Sequence, residues 1–318
     1  MNKLPRAASA IRHSTLLAWV APAVAAGSVS LAHGGTGGDT SMFVAAGRTL
    51  LSAHWSHTFA NSEIQVGPLQ LALFGSIGRS AAALAVVLAV ATVLLLLAAA
   101  RAAGVRRPVL LGALGFLALA AGLTRAGYQY GHPADALMPL AWVLAAVQAR
   151  RGHVARAGAL VGLTAGFQTW GILGVAVLAV APRWRDAARG ALAAATVAVL
   201  LFLPFVLGGH FAMGSYSWNV NPQTFLSLFV TPGVEFGWSL RLLQGAFALS
   251  AGVAAARLLR SSPHAPWAVP LAVVAVRLLL DPFFLRYYPT GVWGPAFVGA
   301  ALLAAQVTVS RSRRESFA

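Results

Sequence analysis

Lysine and arginine collect in six short gaps between long apolar runs, and the carboxylates collect in the other gaps. Lys3, Arg6 and Arg12 precede the first apolar run. Arg101, Arg106 and Arg107 form the second cluster, Arg150, Arg151 and Arg156 the third, and Arg183, Arg185 and Arg189 the fourth. Arg257 and Arg260 make the fifth, and Arg311, Arg313 and Arg314 the last. Together they hold 17 of the 23 basic residues. Asp39, Glu63, Asp135, Glu235 and Asp281 fall in the opposite gaps, leaving only Asp186 and Glu315 on the basic side. Short cytoplasmic loops of membrane proteins carry the Lys/Arg excess. The alternation therefore predicts a polytopic membrane protein with both ends in the cytoplasm and most carboxylates outside.

Composition agrees. The chain of 318 residues is 58% hydrophobic and 9% charged, against about 25% charged in ordinary soluble domains. This leaves little room for a separate soluble domain, and residues 1–318 read as one integral membrane unit. The net charge of +16 does not point to nucleic acid, because the cations are spread through short loops rather than gathered on one stripe. Membrane lipids are the expected partners of those loops. With no cysteine, thiolate chemistry and disulfides are excluded. The basic start and the apolar stretch after it resemble a signal peptide, but the later spans favour a retained anchor helix.

A span needs about 20 apolar residues. Ten are predicted: 14–33, 79–100, 108–124, 134–149, 155–168, 170–182, 187–207, 238–257, 265–281 and 289–308. The run from 155 to 182 is too long for one helix, and a single crossing would put Arg183, Arg185 and Arg189 outside. Two short helices meeting at Gln168–Trp170 remove both difficulties. Two long outer loops remain, 34–78 and 208–237, the first with a short interfacial helix over Val66–Ile77. The fold class is all-α, a polytopic helical bundle. No internal repeat is visible, which weighs against a transporter.

Three constellations carry chemistry. Gly38-Asp39-Thr40 lies just beyond the first span, at the start of a helix over Phe43–Ala53. Asp39 reads either as a helix N-cap or as a general base at the lipid–water boundary. Tyr128-Gln-Tyr130-Gly-His132-Pro-Ala-Asp135 opens the fourth span. Asp135 there either complements the helix dipole or joins His132 in a polar pair facing the outer cavity. Arg277-Leu-Leu-Leu-Asp281 and Arg286-Tyr287-Tyr288 sit at the outer end of the ninth span. Arg277 and Asp281 share a helix face, as an ion pair or with the guanidinium clamping a phosphate. His54 and His57 have helical spacing for a metal but no carboxylates beside them, and read as interfacial side chains. Glu63, Gln65, Gln168, Trp218, Asn219 and Tyr287 are further candidates for binding substrate.

With those residues in place the chain resembles the GT-C superfamily of polytopic glycosyltransferases, nearest its bacterial mannosyltransferase-like branch. The likeness rests on Gly38-Asp39 through Phe43 to Gly67-Pro68, on Gly131-His132-Pro133-Ala-Asp135-Ala-Leu137, and on Ala157-Gly158 through Gly162-Leu163 to Gln168-Thr-Trp170. It covers roughly residues 14–207, and the remainder by topology alone. The resemblance implies a multi-pass plasma-membrane enzyme with its active site on the extracytoplasmic face. It would move a mannose-like hexose from a polyprenyl-phosphate donor to a hydroxyl of a glycan, glycolipid or protein. It implies Asp39 as the base. Relatives often carry Lys in the stretch that is Phe167-Gln168-Thr169 here; if that Lys holds the donor phosphate, the task falls in this chain to Arg277, Arg286 or Arg125. No cofactor is implied; a divalent metal is compatible but not required. A transporter or lipid flippase, or a non-catalytic relative, are the alternatives.

Overall fold

The protein is described by a computed structural model covering residues 4–33 and 37–315, with side chains over 14–33 and 37–308. The basic side chains Lys3, Arg6, Arg12, Arg311, Arg313 and Arg314 lie outside the described residues.

The chain is mostly helical. In order come α1 (Leu4–Ala32), α2 (Thr40–Leu50), α3 (Pro68–Ile77), α4 (Ala81–Ala103), α5 (Pro108–Ala120) and the one-turn α6 (Arg125–Tyr128). Next are α7 (Ala134–Arg150), α8 (Val154–Phe167), a 3-10 segment (Thr169–Val180) and α9 (Trp184–Leu207). The last are α10 (Trp238–Leu258), α11 (Ala265–Leu279) and α12 (Thr290–Glu315). Five helical stretches are long and apolar enough to cross a membrane: Ser14–Ala32, α4, α9, α10 and Thr290–Thr308. Among the shorter apolar helices are α3, α5, α8, the 3-10 segment and α11. The fold is not purely helical, since β1 (Trp218–Asn219) pairs antiparallel with β2 (Glu235–Phe236) in the second outer loop. A ladder of two residues is too short to show a period-2 alternation and so leaves no signal in the residue pattern.

α7 organises the bundle because almost every face of it is covered. Ala136, Leu140 and Val143 enter one apolar cluster with α1, α4, α5 and α12. Met138, Trp142, Ala145 and Ala149 enter a second with α8, the 3-10 segment, α10 and α11. α9 and α10 instead turn large apolar side chains outward: Leu192 is 69% exposed, Leu207 76% and Leu258 84%. Apolar groups left open on two long helices are what a bilayer-facing surface requires.

The break predicted near Gln168 is present. Gln168 is extended (φ −156°, ψ 141°) and ends α8. The next twelve residues wind as 3-10 rather than α. Gly171, Gly174, Val177 and Val180, three residues apart, are all buried, which matches the three-residue turn of that helix. At about 2.0 Å per residue, twelve residues reach about 24 Å, whereas an α-helix of that length would reach about 18 Å.

α8 packs on α9 through Gly158, Gly162 and Gly166, four residues apart; the first two stood out in the sequence only as part of a family likeness, not as a packing stripe. A Cβ on Gly158 would strike the carbonyl of Gly190, and one on Gly162 would lie 2.6 Å from the Val197 Cβ. Without water between helices, such close backbone approach supplies much of the packing. Gly158→Val therefore forces the two helices apart. It should lower stability by about 1–3 kcal/mol or more, read as a lower melting temperature in detergent, and an unchanged melting curve would contradict the packing.

Candidate functional site

Two left-handed glycines bring distant residues together. Gly38 has φ +58° and lies so close to Tyr130 that a Cβ would sit 2.7 Å from its carbonyl oxygen. Gly131, at φ +81°, presses on Thr40 in the same way. Only glycine takes such backbone freely and allows so close an approach. The Gly37 N–H donates to the Gln129 carbonyl at 3.2 Å, and the Thr40 hydroxyl donates to Gly37 at 2.8 Å.

The result is a bond between Asp39 and His132. His132 Nε2 donates to Asp39 Oδ2 at 2.9 Å. Asp39 does occupy the N-cap position of α2, but its side chain makes no capping bond; the carboxylate is turned to the imidazole instead. Its side chain is 53% exposed, and that of His132 only 11%. The His132 hydrogen bond holds the Asp39 carboxyl below the usual carboxylate range, with partial burial opposing it. His132 is fixed from several sides. Tyr287 stacks on it at 4.5 Å, and Phe43 meets its edge at 5.4 Å.

Gln70 was missed by the sequence reading. It is fully buried, and its Nε2 donates to the Gly131 carbonyl at 3.0 Å. It thus braces the turn that presents His132. The available signal was a single amide within the apolar run Pro68–Ile77.

A second cluster lies behind the first. Arg277 Nη2 and Asp281 Oδ2 are 3.2 Å apart, with side chains 11% and 7% exposed. The Arg277 guanidinium lies 4.2 Å over Trp170 and 5.8 Å from the Tyr288 ring. Asp135, 4% exposed, is in electrostatic reach of His132, Arg277 and Asp281. Gln244 Nε2 braces the end of α11 by donating to the Arg277 and Leu280 carbonyls. So the structure gathers Asp39, His132, Tyr287, Asp135 and Arg277, residues from three separate stretches, on one end of the bundle.

Gln168 is tied to the first outer loop. It bridges Val66, and the Gly67 N–H donates to the Phe167 carbonyl at 2.7 Å. Among the described residues, the other candidates make no hydrogen bond or ion pair to Asp39. Glu63 is exposed, and Gln65 Nε2 donates to the Met213 carbonyl at 2.8 Å, joining the first outer loop to the segment after α9. Trp218 and Asn219 form β1, and Arg241 lies 4.9 Å over the Trp218 ring, so that aromatic face already has an occupant. Arg125 and Arg286 are exposed. His57 stacks on His210 at 4.0 Å, and among the described residues no three His, Cys, Asp or Glu side chains gather as metal ligands would. Along the outer side of α2 runs a groove of about 320 Å³ lined by Gly38, Thr40, Ser41, Val44, Ala45, Arg48 and Gly78.

No protein-family model matches this chain, and no curated protein or solved structure is significantly similar to it.

The lowered Asp39 value has a testable sign. A carboxyl depressed in the folded state contributes stability that is full above its unfolded value of about 3.9 and is lost as pH falls through the folded one. His132→Asn should melt below the wild type at pH 6, with the gap closing on acidification past the ordinary carboxylate range. A gap that stays constant across that titration would contradict the contact. Gln70→Leu should shift the same profile in the same direction, whereas Gln70→Glu, a near-isostere, should disturb it by charge rather than shape.

Proposed function

We propose that the protein is an integral membrane glycosyltransferase of GT-C type. In this reading ten helical segments cross the plasma membrane, the short α5, α8, 3-10 segment and α11 among them, sheltered within the bundle. The enzyme transfers a mannose-like hexose from a polyprenyl phosphate to an extracytoplasmic hydroxyl.

The observation that carries the reading is the half-exposed Asp39 carboxylate, oriented by His132; Gly38 and Thr40, the chain neighbours of Asp39, line a groove along α2. A positioned carboxylate with one oxygen held by an imidazole leaves the other oxygen available to accept a proton. The acceptor hydroxyl gives its proton to Asp39 as its oxygen attacks the anomeric carbon. The bond from that carbon to the phosphate oxygen breaks with its electron pair, and polyprenyl phosphate leaves as an anion. The leaving group needs no protonation, which suits a site whose exposed acid–base group is a carboxylate. In this reading the exposed Arg286, next to Tyr287, and the exposed Arg125 hold the donor phosphate. A transporter would need charged groups along a path through the bundle. The buried Asp135, Arg277 and Asp281 instead cluster at corresponding ends of α7 and α11.

Loss of a positioned base lowers rate by about 10²–10⁴. Asp39→Asn should therefore lose transfer from a short-chain polyprenyl-phosphate-mannose by that factor while remaining folded, its melting point lowered no further than that of His132→Asn. Transfer at the wild-type rate would remove Asp39 from the reaction.

A further inference from the structure

The Arg277 cluster contains more polar atoms than it satisfies. Arg277 Nη1, Trp170 Nε1, Asp135 Oδ2 and Gln168 Oε1 are all buried without a hydrogen-bond partner. Two are donors and two are acceptors. They come from three places in the chain: the start of α7, the break between α8 and the 3-10 segment, and the end of α11. Trp170 lies directly beneath the guanidinium at 4.2 Å, Asp135 is in its electrostatic reach, and Gln168 stands two residues before Trp170. Buried polar groups are nearly always partnered, and each orphan carries a desolvation cost. Four orphans in one neighbourhood mark a place that a polar occupant completes.

The charges select the occupant. One guanidinium faces two carboxyl groups, Asp135 and Asp281, and is already paired with the second at 3.2 Å. The cluster thus offers no net positive charge to a phosphate. A neutral group that both donates and accepts, against flat aromatic faces, fits the mixed set of donors and acceptors. Hydroxyls of a sugar have that character. We propose that Asp135, Gln168, Trp170 and Arg277 recognise the hydroxyl groups of the glycosyl unit, and that the lipid phosphate is held elsewhere. The inference rests on the glycosyl-transfer reading and adds to it the division of labour among the outer arginines. It removes Arg277 from phosphate binding.

The test compares two ligands by equilibrium binding to purified protein in nanodiscs: citronellyl phosphate, and citronellyl phosphate carrying mannose, glucose, galactose or arabinose. Two variants keep the fold of the cluster. Trp170→Phe retains a ring under Arg277 but removes the N–H, and Asp135→Asn retains the shape but removes the charge; melting curves check both. Wild type should prefer at least one glycosylated ligand over the bare phosphate. Each variant should reduce that preference by about five- to tenfold, the loss of one hydrogen bond, with bare-phosphate affinity unchanged. If Asp135→Asn instead tightens bare phosphate, the cluster is an anion site and the proposal fails. It fails also if wild type shows no preference for any of the four sugars, or if the variants weaken both ligands alike. These outcomes separate from the transfer reading. A sugar preference that survives in a protein without transfer activity would sink only that reading, and transfer without variant-sensitive preference would sink only this one.

Discussion

The hydrogen bond from His132 to Asp39 is the constraint on which this end of the bundle depends. It joins residues 93 positions apart and holds the first outer segment against the start of α7. The surrounding features all bear on it. Left-handed Gly38 and Gly131 allow the two backbones to approach. Gln70 fixes the turn before His132, and Tyr287 covers the imidazole. A carboxylate used only as a helix cap needs none of these supports.

Behind that contact lies a buried ion pair, Arg277–Asp281, with Asp135 beside it. Charges in such a setting are costly to desolvate and rarely stabilise a fold more than apolar packing of the same volume would. The geometry around them is closely fixed, since Trp170, Tyr288 and Gln244 each meet the guanidinium or its backbone. The two clusters are continuous through Tyr287 and His132. This gives one polar cluster at this end of the bundle, with an exposed carboxylate at its rim and buried polar groups within.

Much of this could be read before the fold was known, for a physical reason. A bilayer imposes long apolar runs and confines charge to their ends, so helix positions and their polar ends stand out in the sequence. The helices over 81–103, 184–207 and 238–258 lie close to their expected places, and the break at Gln168 falls where two crossings had to meet. Asp39, His132 and Asp135 stood out as carboxylates and imidazole at helix ends. Tertiary choices were less visible. Whether Asp39 capped its helix or met His132 depended on two glycine turns that approach only in three dimensions. Gln70 looked like one polar residue in an interfacial helix, and its partner is a carbonyl 61 residues away. Trp218 appeared free to stack on a ligand, but Arg241 lies over it. The 3-10 winding of Thr169–Val180 is not something local propensity encodes.

An extracytoplasmic site requires that Asp39 and its groove face the exterior. The chain has no cysteine, so single-cysteine variants report without background. Ser41→Cys, exposed on the groove beside Asp39, should react with a membrane-impermeant maleimide in intact cells, whereas Arg107→Cys, in a basic gap, should react only after permeabilisation. The reverse pattern, with position 41 shielded until the cells are opened, would contradict that placement and the reaction built on it.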